Sequence, residues 1–213
     1  MKALIACEES QTVCKAFRAK GIEAYSCDIQ DCSGGHPEWH IKGDAIAEAY
    51  SGKYDMMIAH PPCTYLSYAG IGYWNRPGRL KKRLLALDFF ATLWEAPVKM
   101  ICLENPKGCA SPTIAKYSQI IQPYYFGDPH LKTTCLWLKN LPCLVWHERD
   151  NLFSNSTSSG KPEPLMIQEN GKKRYFTDFT SGYSGEGNST LKRSKTFPGI
   201  AAAMADQWSK FIL

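Results

Sequence analysis

The chain has 213 residues and a mass of 23.9 kDa, room for one large domain or two very small ones. Apolar residues make up 44% and charged residues 21%, which excludes wholesale disorder, and no apolar run reaches the ~18 residues of a membrane span. A net charge of +5 permits a polyanionic partner without requiring one, and nine cysteines, mostly inside apolar segments (Cys7, Cys102, Cys135), point to reduced thiols rather than a disulfide framework.

The first residues, MKALIACEES, form a short apolar run followed by two acids. That pattern matches neither a signal nor a transit peptide, so the expected location is the cytoplasm. KALIAC reads as a buried strand, with Ser10 as N-cap of a helix over residues 11–20 that ends before Gly21. IEAYSC is a second strand ending at Asp28, followed by a Gly-rich loop (Ser33, Gly34, Gly35). GDAIAEAY begins a short helix, and DMMIAH is a strand stopped by Pro61-Pro62. Residues 68–79 read as a long loop. LKKRLLALDFFATLWEA has apolar residues at helical spacing (Leu80, Leu84, Leu87, Phe90, Ala91, Trp94) and is closed by Pro97. VKMICLEN is a strand, residues 112–121 a helix, TTCLWL a strand, and the chain from Pro198 onward an amphipathic helix. Residues 147–197 break the pattern with Ser, Thr, Gly, Asn, Pro and three short basic groups (Lys172-Lys173-Arg174, Lys192-Arg193, Lys195), and read as a loop-rich insertion.

Strands alternating with helices predict an α/β fold with a mostly parallel sheet flanked by helices. Ligands of such sheets sit at the carboxyl ends of the strands. Those ends carry Cys7-Glu8-Glu9, Asp28, His60-Pro61-Pro62-Cys63 and Glu104-Asn105-Pro106.

Two of these ends carry reaction chemistry. In HPPC the two prolines fix the backbone and present Cys63 at a strand end, as a thiol nucleophile requires; a small cysteine buried in a proline turn is the alternative reading. Glu104 alone reads as a solvated strand end. The two motifs together, about 40 residues apart with a helix between them, are far more specific.

In this order the motifs resemble the cytosine-5 DNA methyltransferases, which use S-adenosylmethionine. ACEESQ stands where that family has its aromatic-x-Gly-x-Gly loop, Asp28 for the acid after the second strand, and Gly43-Asp44 for the third motif. Pro61-Pro62-Cys63, followed by Ser67 and Ala69-Gly70, corresponds to the nucleophile motif and Glu104-Asn105-Pro106 to Glu-Asn-Val. His130 to Thr134 aligns loosely with Gln-x-Arg-x-Arg, and FPGIAAAMADQW with the closing motif. The resemblance runs from residue 3 to 212, apart from the insertion, and is greatest to compact phage-type members with a reduced target-recognition region.

The resemblance implies a Rossmann-like class I methyltransferase fold, with a catalytic domain at 1–146 plus 198–213 and a flap or reduced recognition region at 147–197. It also implies a cytoplasmic setting in a bacterial host or a phage-infected cell. Cys63, Glu104 and Lys132 would be catalytic. Cys7, Glu8, Glu9, Ser10, Asp28, Ile29, Asp44, Ala45 and Pro61 would bind S-adenosylmethionine. Cys63 as thiolate would add to carbon 6 of a flipped cytosine, making carbon 5 nucleophilic, while Glu104 binds the amino group and ring nitrogen 3. A helix start solvated at Glu8 and Glu9 is the alternative reading of the acidic turn.

DNA contact is expected from Arg76, Arg79, Lys81, Lys82 and Arg83, five positive charges within eight residues, together with Lys172, Lys173 and Arg174. A basic helix start is unfavourable for the helix dipole, which argues for a functional role. Cys27, Cys32, His36 and His40 have the spacing C-x4-C-x3-H-x3-H, compatible with zinc, but Cys27 belongs to a predicted strand, and no metal is expected. His60 either tunes the thiolate or caps its strand. RNA or a free deoxycytidine nucleotide as acceptor, or a catalytically degenerate DNA-binding homologue, are the competing expectations.

Overall fold

The computed structural model describes residues 2–148, 155–171, 173–175 and 195–211. Seven strands form one sheet in the order β3-β2-β1-β4-β5-β7-β6. They are β1 (Lys2–Ala6), β2 (Glu23–Asp28), β3 (His40–Lys42), β4 (Met56–Ala59), β5 (Met100–Pro106), β6 (Gln119–Ile121) and β7 (Thr134–Lys139). The first five pair in parallel, and β7 runs antiparallel to both β5 and β6. The expected α/β architecture, a mostly parallel sheet flanked by helices, is the one observed.

Both faces of the sheet are covered, so the central strands are apolar throughout rather than alternating. Ala3, Ile5, Met56, Ile58 and Cys102 face α1 (Thr12–Ala19) and α5 (Pro198–Trp208). Leu4, Met57, Ala59, Ile101 and Leu103 face the side of α2 (Ala45–Ala49), α3 (Arg79–Trp94) and α4 (Ala110–Thr113). Gly199 in α5 lies so close to the carbonyl of Phe126 that an added Cβ would sit 1.9 Å from its oxygen, so this helix start admits no side chain. Among the described residues no helix is long and apolar enough to cross a membrane.

Two local expectations are overturned. Residues 112–121 do not form one helix: α4 is a single turn, and Gln119–Ile121 is β6. Ile120 pairs with Cys135 of β7, and both ends of the Gln119 amide bond the backbone of Leu144, so sheet pairing outweighs local helix propensity. Ser10 is not the N-cap of α1. Gln11 holds that position in a left-handed conformation with no side-chain cap, while the Ser10 hydroxyl bonds Thr12. The capping acceptor is Glu8, whose carboxylate takes the backbone N–H of Val13 (2.7 Å) and Cys14 (3.2 Å). The loop at 68–79 contains a 3-10 turn, Tyr68–Tyr73.

Within the insertion, Met166–Ile167 (β8) and Lys173–Arg174 (β9) form a hairpin. Its described beginning is tied to the main body: Thr157 Oγ1 donates to the Tyr125 carbonyl and Ser158 Oγ to that of Tyr124.

Candidate active site

The sheet order reverses between β1 and β4, the point at which open sheets of this kind form their ligand crevice, outside the carboxyl ends of the strands. His60 leaves β4 with its N–H on the Ala6 carbonyl. Pro61 is buried and Cys63 is exposed at the rim. The Cys63 carbonyl accepts the N–H groups of Leu66 and Ser67, closing a tight turn.

This turn is stapled to the loop after β5. Asn105, 1% exposed, donates from Nδ2 to the Pro61 carbonyl at 2.7 Å. Ser67 forms an isolated antiparallel bridge with Gly108, Tyr68 N–H donates to Lys107 and Cys109 N–H to Leu66. The approach is so close that a Cβ on Gly108 would lie 2.1 Å from the Leu66 oxygen. Proline rigidity and these bonds together hold the strand end that presents the thiol.

Glu104 reaches the same end of the sheet from the neighbouring strand. Ala59 is in register with Leu103, so His60 and Glu104 both lie one residue beyond a matched pair. Strand alternation turns both side chains to the α1/α5 face. His60 Nδ1 lies 3.1 Å from Glu104 Oε2, with Thr196 Oγ1 at 3.4 Å. Burial alone would push the Glu104 carboxyl up. The bonds to His60 and Thr134 and the positive charges of Lys132 and His60 outweigh burial and hold the carboxyl below its usual range. Lys132 is thus placed beside Glu104. His60, Asn105, Thr134 and Thr196 complete the group; His60 directly before PPC, Asn105 in the Glu-Asn motif and Thr134 at the end of the loose Gln-x-Arg-x-Arg match carried a sequence signal, and Thr196 carried none.

The other side of the crevice gathers acids. Cys7 takes a left-handed conformation (φ 57°), and burial followed by the charges of Asp28, Cys27 and Asp44 pushes its thiol up. Asp28, Asp44 and Cys7 are therefore neighbours. Asp28 accepts from Gln30 N–H through one oxygen, and Asp44 caps α2 by accepting from Ile46 N–H. Ile29 is 78% exposed beside them, and Ala45 is buried below. This set suits an adenosine: carboxylates for ribose hydroxyls and an amino group, and an apolar surface for a base.

Glu8, Glu9 and Ser10 have partners within the chain, Ser10 on the Thr12 hydroxyl. Glu8 is 4% exposed and turned into α1, and burial raises its carboxyl against the nearby charge of His60 and its two backbone bonds. Glu9 accepts from Ser33 Oγ and lies 3.8 Å from Lys195 Nζ. The solvated helix start weighed for this turn is not what forms at Glu8. Gln11, fully buried and left-handed, bonds both backbone groups of His36 and so ties the loop after β2 across the turn.

The candidate nucleic-acid residues form a layered surface. Arg76 lies 4.4 Å over the Tyr73 ring, Arg79 4.6 Å over Tyr65 and Arg83 4.3 Å over Trp74, with Lys82 5.6 Å over Tyr65. Lys81 is exposed at the start of α3. Lys173 and Arg174 lie on β9, and Lys172, Lys192 and Arg193 lie outside the described residues.

The zinc spacing is not assembled. Cys27 Sγ faces the Gly43 carbonyl, Cys32 Sγ faces Gln11, His36 stacks on Trp39 and His40 bonds Ser26. Among the described residues no cluster of His, Cys, Asp or Glu could hold a metal ion.

No protein-family model matches the chain, and no curated protein does. Among solved structures it is similar to the S. pombe Dnmt2 methyltransferase, with a TM-score of 0.53 and 10% identity over 100% of both chains. It is also similar to the Entamoeba histolytica methyltransferase EhMeth (TM-score 0.48, 12% identity, 100% of this chain and 95% of that one). A third match is a DNA modification methyltransferase, described as putative, encoded within an E. coli prophage (TM-score 0.40, 12% identity, 65% of this chain). The match spans 46% of that prophage protein's length. The match to Dnmt2 over the whole chain and the strand order show a shared fold, a Rossmann-like, mostly parallel seven-stranded sheet flanked by helices.

Proposed function

We propose that the protein transfers a methyl group from S-adenosylmethionine to carbon 5 of cytosine in DNA, with Cys63 as nucleophile. The observation that carries this reading is the exposed Cys63 turn joined to the Glu104 strand end by the Asn105–Pro61 and His60–Glu104 bonds. A thiol in the turn after β4 and a buried acid on the neighbouring parallel strand β5 are what addition to a pyrimidine ring needs.

Carbon 5 of cytosine is a poor nucleophile until a thiolate adds at carbon 6. A free thiol is mostly protonated at neutral pH, so Cys63 must lose its proton before it adds. Glu104 accepts from the exocyclic amino group and meets ring nitrogen 3, where charge develops on addition. Lys132 stands beside Glu104. Asp28, Ile29 and Asp44 would hold the adenosine of S-adenosylmethionine, with Cys7, Ala45 and Pro61 bordering it. When bound, the cofactor supplies an electrophilic methyl group. The carbon 5 proton and the Cys63 sulfur then leave the base. The arginine–aromatic surface after Cys63 would take the phosphates of the strand from which the base is extruded.

Tritiated S-adenosylmethionine tests this directly. Label is expected in duplex DNA and absent with Cys63→Ala; full transfer by that variant overturns the nucleophile assignment. Parallel reactions with RNA and dCMP fix the acceptor class, and greater transfer to either one than to DNA replaces DNA in this reading.

A further inference from the structure

Burial of His60 is unusual for a residue at the mouth of a crevice. Its side chain is only 7% exposed, and it sits between two buried acids. Nδ1 faces Glu104 Oε2, while Nε2 is buried with no hydrogen-bond partner among the described residues. Glu8 approaches from the β1–α1 turn, near enough that the charge of His60 is the main influence opposing burial of its carboxyl. Thr196 closes the site from the segment before α5, and Lys132 and Thr134 bear on Glu104 from the start of β7. A histidine kept only to fill the core needs neither acid. A histidine beside two buried acids is well placed to carry a proton.

We propose that His60 is a positioning residue that stores the proton Glu104 delivers to ring nitrogen 3 of the target base. The inference rests on the proposed cytosine addition and deepens it. Glu104 is held ionised and therefore has no proton of its own to give. The resting pair is imidazolium and carboxylate. On addition, the Nδ1 proton of His60 passes to Glu104 Oε2, and Glu104 passes a proton to ring nitrogen 3. In the same step the bond between the Cys63 sulfur and carbon 6 forms and the carbon 5–carbon 6 π pair shifts into the ring. The pair is left as neutral imidazole and carboxylate, and the charges balance: thiolate and imidazolium are consumed and a neutral adduct forms. When the sulfur leaves, the proton on ring nitrogen 3 returns through Glu104 to His60.

Addition makes carbon 5 exchangeable, so the test needs no methyl donor. Release of tritium to water from DNA labelled at cytosine carbon 5 is followed against pH for the wild type, His60→Asn and Cys63→Ala. Asparagine keeps a donor near Glu104 Oε2 but holds no mobile proton. Release by His60→Asn is expected to fall roughly 100-fold with little change in DNA binding. The step in the wild-type profile that reports loss of the His60 proton is expected to disappear in the variant, whose slow residual rate depends on Glu104 taking its proton from water. Nitrogen-15 spectra of histidine-labelled wild-type protein supply the second measurement, independent of any variant's folding, and should show His60 protonated at the pH of fastest release. A wild-type rate and pH profile in His60→Asn, or a neutral His60 at that pH, overturns the proposal. No release by the wild type, or equal release by Cys63→Ala, overturns the cytosine-addition reading and this inference with it.

Discussion

Asn105→Ala tests whether the bond between the two strand ends positions the thiol. Asn105 is 1% exposed and donates at 2.7 Å to the carbonyl of Pro61, which is itself buried. Truncation leaves that carbonyl without a donor, a cost of about 1–3 kcal/mol. The Asn105 Oδ1 atom is buried without a partner among the described residues, so removing it returns part of that cost. The net loss is about 1–2 kcal/mol, or roughly 2–8 °C in melting temperature for a domain of this size. The Pro61–Cys63 turn keeps its prolines but loses a tether, and a displacement of about 1 Å can cost ~100-fold in rate. Thermal melting gives the stability, and single-turnover methyl transfer at saturating DNA, well below the melting point, gives the rate. Asn105→Asp, which sets a carboxylate against the same carbonyl, should lose more of both. A lowered melting point with an unchanged single-turnover rate would refute the positioning role. An unchanged melting point would refute the account of the bond itself.

Two further outcomes follow from the charge arrangement. The folded Glu104 carboxyl holds its proton less tightly than in the unfolded chain, so it contributes stability above the ordinary carboxylate range that is lost as pH falls through its lowered folded value. Glu104→Gln should lack that component, and denaturant unfolding against pH should show the gap to wild type narrowing in acid; a gap that widens there contradicts the assignment. Replacing Arg76, Arg79 and Lys82 by Ala should flatten the dependence of DNA affinity on salt, by about 0.9 in logarithmic slope for each phosphate contact removed, and an unchanged slope would place the phosphates elsewhere.

The strand ends were legible because each apolar run stops at an ionisable residue: Glu8, Asp28, His60, Glu104. The register between strands is not written in any one segment. Alternation puts His60 and Glu104 on one face only once Ala59 is matched with Leu103, and that match depends on contacts 44 residues apart. Local propensity misled at residues 112–121, where Gln119 imitates a strand neighbour for Leu144 and draws Ile120 into the sheet. The cap of α1 was misplaced because its acceptor lies five residues before Val13, outside the usual capping window. The partners of the acidic turn on α1, Ser33 and Lys195 were not legible, because they come from residues brought together only by the fold.

The reversal of β7 explains how a distant part of the chain comes to bear on Glu104. A parallel strand after β5 would begin at the opposite edge of the sheet. An antiparallel one begins at the crevice, so the residues at its start arrive where β4 and β5 end. In the observed register Glu104 lies opposite Leu136, and Thr134, two residues earlier on β7, becomes its diagonal neighbour on the same face. Lys132 lies two residues beyond that, with its N–H on Gln122 Oε1 and its ammonium 5.7 Å over the Phe197 ring. The ammonium and the hydroxyl that join His60 in holding the Glu104 carboxyl below its usual range are therefore consequences of strand direction.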